Sequence, residues 1–71
     1  MTLDSPTFGV FPALLNSARK AANRLKEEGS QECELEDNRG FFVALEKDVP
    51  REDIYFAFTD EGMTFALFVR E

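Results

Sequence analysis

The side chains best equipped for chemistry in this sequence are carboxylates, and the most regular of them are Glu32, Glu34 and Glu36, which alternate with Cys33 and Leu35 and are followed at once by Asp37. In an extended strand the three glutamates share one face at intervals of about 6.8 Å. Such a row is suited to electrostatic recognition, because it can occupy a basic groove shaped for a nucleic-acid backbone; it can also simply keep a sheet edge soluble. Proton transfer asks for more. Glu27 with Glu28, Glu52 with Asp53, and Asp60 with Glu61 are adjacent pairs in polar surroundings, where nothing drives their pKa values apart into an acid and a base.

Nucleophilic catalysis lacks its parts. The chain has no histidine, and Ser5, Ser17, Ser30 and Cys33 have no neighbouring base to activate them. Cys33 is the only cysteine, and Glu32 and Glu34 on either side raise rather than lower a thiol's pKa, so it reads as a small buried apolar residue in a reducing cytosol. One cysteine and no histidine leave neither an internal disulfide nor a Cys/His zinc site. Asp48, Glu52 and Asp53 lack the aspartate ladder and central glycine of a calcium loop, and no Gly-rich phosphate loop is present. The expectation is a chain without catalytic residues, cofactor or metal site, hence a non-enzymatic binding protein.

The elements that must carry these residues follow from periodicity. A length of 71 residues holds one domain at most, 1–71, and a domain of this size keeps about 3–5 kcal/mol of net stability from its core. Residues 1–9 contain Pro6 and Gly9 and show no sustained period, so they read as a lead-in segment packed through Leu3 and Phe8, with a first helical turn able to begin at Ser5. Phe11, Leu14, Leu15, Ala18, Ala21, Ala22 and Leu25 recur at helical spacing and predict a helix over 11–28, ended by Gly29 in the left-handed conformation with Lys26 in the last turn. From Ser30 the period becomes two. Residues 31–70 read as two β-hairpins: one strand through Glu36 and a second over Phe41 to Lys47, joined by Asp37 to Gly40; then Ile54 to Thr59 and Met63 to Arg70, joined by Asp60, Glu61 and Gly62. Short connections favour an α+β domain, α-β-β-β-β, in which one N-terminal helix packs on one face of a four-stranded antiparallel meander sheet.

One helix covers one face. Alternation gives that face Cys33, Leu35, Phe41, Val43, Leu45, Ile54, Phe56, Phe58, Met63, Phe65, Leu67 and Val69. The opposite face then carries Phe42, Ala44, Tyr55, Ala57, Ala66 and Phe68, an apolar patch rimmed by charge, and such patches mark contact with another surface. A sheet-to-sheet homodimer through this patch is the expected use, with docking of a different macromolecule as the other.

Charge points to the kind of partner. The formal net charge is −6, the segment from Phe11 to Glu28 has four basic and two acidic residues, and the remainder from Gly29 has four basic and eleven acidic ones. An acidic surface formed by Glu32, Glu34, Glu36 and Asp37 therefore calls for a basic protein, such as a nucleic-acid-binding machine that the chain regulates or inhibits, while nucleic acid itself and anionic membranes are disfavoured. In size and charge alone the chain resembles the anti-CRISPR proteins of mobile genetic elements. Arg39, Gly40, Phe41, Phe42 and Val43 resemble the aromatic strand motif of RRM-type RNA-binding domains, although Phe42 stands where that motif has a small residue; the resemblance implies the alternative, a nucleic-acid-binding module stacking bases on Phe42, Tyr55 and Phe68. Arg19, Lys20 and Arg24 on the helix are either a second contact site or solvated charge. No signal segment opens the chain and no stretch approaches a bilayer-spanning length, so a cytoplasmic location is expected.

Overall fold

The computed structural model describes the backbone of residues 5–70 and the side chains of residues 12–70. The expectations for Leu3, and for the side chains of Phe8 and Phe11, lie outside the described residues. A single helix, α1 (Ser5–Glu28), is followed by four strands, β1 (Glu32–Glu34), β2 (Phe41–Leu45), β3 (Ile54–Asp60) and β4 (Met63–Val69), in one antiparallel sheet. The α+β architecture expected from periodicity is present, with the helix on one face.

The helix is longer than its apolar stripe requires. It runs through Gly9 and Pro12, so residues 5–9 belong to it and not to a separate lead-in. Proline's fixed φ is helical, but an interior Pro12 withholds one backbone donor and its ring crowds the carbonyl four residues back, so the helix continues through it at a cost. At the other end Gly29 takes φ 69°, and the Ser30 N–H donates to the Leu25 carbonyl at 3.1 Å, closing the helix with a left-handed cap. Leu14, Ala18, Ala21, Ala22 and Leu25 bury against Cys33, Leu35, Val43, Phe58, Phe65 and Leu67, with Leu15, Phe41, Leu45 and Phe56 packed at the margin. The three alanines let the helix sit close to the sheet.

The sheet is not a meander. Its strand order is β1-β2-β4-β3, so β4 rather than β3 pairs with β2, and β2 and β3 run parallel on either side of it. The reason lies in β4: Phe65, Ala66, Leu67 and Phe68 are all buried, a run that is apolar on both faces and therefore needs the sheet's interior. A meander would leave that strand at an edge. The connection from β2 to β3 consequently crosses the sheet. It consists of two 3-10 turns, Glu46–Asp48 and Arg51–Asp53, closed by hydrogen bonds from Val49 N–H to the Glu46 carbonyl (3.2 Å) and from Asp53 N–H to the Pro50 carbonyl (2.9 Å).

That crossover lies on the face the helix does not cover. Val49 is buried with Ala44, Ala66 and Phe68, and Phe42 and Ile54 pack around them as a second, smaller core. A β-bulge between Ile54 and Phe56 adds one residue to β3, so Ile54 joins this second core while Tyr55 turns to Phe41, its ring edge-on at 6.0 Å. The expected facing of these two residues is thus reversed. Met63 and Val69, expected in the helix-side core, are exposed at its ends.

Candidate functional site

The expected dimer face resolves into buried and exposed parts. Ala44, Ala66 and Phe68 are largely enclosed beneath Val49, so they offer no flat face to a second sheet. Phe42 is half-buried and stacked on Phe68 at 5.8 Å between ring centroids. Over both rings lies the Arg70 guanidinium, 4.8 Å from the centroid of Phe42 and 5.5 Å from that of Phe68. Tyr55 and Ala57 are exposed, but Tyr55 belongs to the cluster around Phe41. Phe42, Tyr55 and Phe68 therefore do not form one open platform on which a sheet partner or a row of bases could lie. The cause is the crossover and the bulge, neither of which leaves a periodic trace in the sequence.

The row of carboxylates is also broken up. β1 ends at Glu34, so Glu32 and Glu34 point to the crossover face while Glu36 and Asp37 occupy the bend beyond it. Each carboxylate accepts from a neighbour. Glu32 chelates Arg70, with Nη2 2.6 Å from Oε1 and Nη1 on Oε2; this hydrogen bonding, more than the attraction of the charges, holds the guanidinium above its ordinary pKa. Glu34 accepts the Gly40 N–H at 2.8 Å and so pins the hairpin turn, where Gly40 takes φ 87°. Glu36 pairs with Arg24 of the helix at 3.2 Å, and the Ser17 hydroxyl donates to Asp37 at 3.4 Å. On the opposite side of the helix Lys26 bridges Asp60 (3.2 Å) and Glu61 (2.6 Å), and the Glu61 hydrogen bond is the first cause of its raised pKa. The acids of the sheet thus partly neutralise the bases of the helix.

What remains open is a cleft of ≈ 650 Å³ between the crossover and the β1 side of the sheet. Its floor is Ala44, Val49 and Phe68, and its rim carries Glu32, Arg70, Asp48 and Asp53. Glu32 and Arg70 cancel one another. Asp48 and Asp53 are exposed, and among the described residues neither has an ion pair or a side-chain hydrogen bond. An apolar floor with an anionic rim fits a long cationic side chain, whose methylenes lie on Val49 and Phe68 while its charged head reaches a carboxylate. Among the described residues no three acidic, cysteine or histidine groups converge as a cation site would require. Asp48 and Asp53 read from sequence as loop charge; their proximity to the cleft depends on the crossover's path, which only the paired strands fix.

Cys33 is buried against the helix, and that burial pushes its thiol pKa up, with Arg24 opposing and Glu28, Glu36 and Glu34 adding to the rise. A raised pKa is the opposite of what a nucleophilic cysteine needs. Among the described residues no helix is long and apolar enough to cross a membrane. No family model, curated protein or solved structure matches the chain.

Proposed function

We propose that this chain is a non-enzymatic, cytoplasmic interaction domain that binds a basic segment of another protein and thereby regulates or inhibits it. The observation that carries the reading is the cleft beside the crossover, whose apolar floor is bordered by the carboxylates of Asp48 and Asp53, neither of them in an ion pair among the described residues. The net charge of −6 supports it by drawing cationic partners over a longer range and by disfavouring nucleic acid. Glu32, Glu34, Glu36 and Asp37 contribute to that field, although each also serves the fold through the contacts described above.

Calorimetric titration with a capped tetralysine peptide tests the reading. Binding that weakens at least about tenfold in an Asp48→Asn/Asp53→Asn variant, the loss of two charge-assisted hydrogen bonds, is the expected result. Glu27→Gln/Glu28→Gln removes the same charge from the end of the helix and serves as the control. Equal weakening in both variants would reduce the cleft to diffuse electrostatics and overturn the proposal.

A further inference from the structure

The outer edge of β3 has the geometry and sequence of a pairing surface. Glu61 (φ 53°) and Gly62 (φ 81°) both take positive φ, which identifies a two-residue type I′ turn and makes Asp60 and Met63 a hydrogen-bonded pair. Because the ladder alternates, Phe58 bonds inward to Phe65, while the N–H and C=O groups of Ala57 and Thr59 point out of the sheet. Among the described residues no strand lies beyond β3. Edges of this kind are ordinarily guarded by shortness, lysine, proline or charge. β1, the opposite edge, has only three residues, two of them glutamates. β3 has seven residues, with no charge and no proline from Ile54 to Thr59.

We propose that β3 pairs antiparallel with β3 of a second copy of this chain, about a two-fold axis at Ala57. The sequence argues for a second copy: Phe56 and Phe58 flank Ala57 symmetrically, and an isologous pair needs a strand that complements itself. In that register Ala57 exchanges hydrogen bonds with the partner's Ala57. Phe58 meets the partner's Phe56. Phe58 already stacks on Phe65 at 5.7 Å and lies 6.1 Å from Phe56, so the pair continues a row of rings across the axis on the face that α1 covers. Charge does not oppose this. Asp60, the one charged residue of β3, is bonded to Lys26 at 3.2 Å, and antiparallel pairing sets the two Asp60 residues about 20 Å apart along the strand, beyond the ~8 Å screening length at physiological salt.

The inference is independent of the basic-partner reading. Sedimentation equilibrium of the full chain at about 100 µM, a tenfold excess over a Kd of about 10 µM, should give a weight-average mass about 1.8 times that of the chain, whose mass is 8.1 kDa. Ala57→Pro removes an outward donor and spares the β4 ladder, and Thr59→Lys places a charge on the edge; both should sediment as folded monomers with an unchanged circular dichroism spectrum. Amide exchange at Ala57 and Thr59 should slow as the wild-type concentration rises. A monomeric wild type at that concentration, or dimers in all three proteins, would overturn the proposal. Tetralysine binding should survive in both variants, which separates failure of this interface from failure of the cleft.

Discussion

Arg70 does more for the fold than a half-exposed surface arginine ordinarily does. Its guanidinium chelates Glu32 and at the same time roofs Phe42 and Phe68, so one side chain ties the end of β4 to β1 and shields the second core from water. A lysine supplies charge but neither the planar fork nor the stacking surface. Arg70→Lys is therefore expected to lower the melting temperature nearly as much as Arg70→Ala, whereas Arg39→Ala, in the exposed turn, should leave it unchanged. Thermal unfolding followed by circular dichroism decides this, and full rescue by lysine would show that charge alone matters. Cys33 makes a prediction of its own. Its folded pKa is raised, so the folded state holds the proton longer than the unfolded state; the associated stability is complete below about pH 8.5 and is lost as pH rises through the folded value. Lys26, also raised, retains its contribution until about pH 10.4 and loses it above. Urea midpoints of the wild type should thus begin to fall above about pH 8.5, and in Cys33→Ala the fall should be delayed to the lysine range. An identical alkaline fall in both proteins would assign it elsewhere.

Among the elements, the crossover between β2 and β3 decides the shape of the molecule. Val49 is its only buried residue, and it covers the face that would otherwise be open. Truncating it to alanine should cost about 2 kcal/mol, the transfer of two methyl groups plus a small cavity, whereas Lys47→Ala beside it should cost little. Chemical denaturation measures both, and a silent Val49→Ala would mean that the crossover is not anchored. This element also marks where the sequence stops being legible. The helix stripe, its Gly29 stop, the two hairpins and the helix-side core around Val43, Phe65 and Leu67 all follow from period and turn chemistry. The strand order does not, because hairpin signals fix neighbours within each pair but not which strand of the second hairpin adjoins the first. The unbroken apolar run from Phe65 to Val69 held the clue, since a strand buried on both faces belongs in the middle. The bulge that exchanges Ile54 and Tyr55 leaves no comparable mark, and with it went the expected aromatic face. Of the candidate site, the acidic character was legible and its location was not: the regular Glu32, Glu34, Glu36 row is largely occupied by the fold, and Asp48 and Asp53 sit on an irregular loop.

At the scale of the whole molecule, charge is organised rather than merely abundant. Arg24 and Lys26 reach from the helix to Glu36, Asp60 and Glu61, which clamps the layers together and leaves Arg19 and Lys20 as the exposed bases of the helix. The surplus of acid falls on the sheet side, where the cleft opens beside the crossover. The most direct test of that account is an NMR titration of isotope-labelled protein with capped tetralysine, at low and at physiological salt. The account predicts saturable shifts confined to the amides around the cleft, at Gln31, Asp48, Val49, Asp53 and Arg70, that diminish with salt. Shifts spread evenly over every acidic stretch, Glu27 and Glu28 included, or a cleft that does not respond at all, would contradict it.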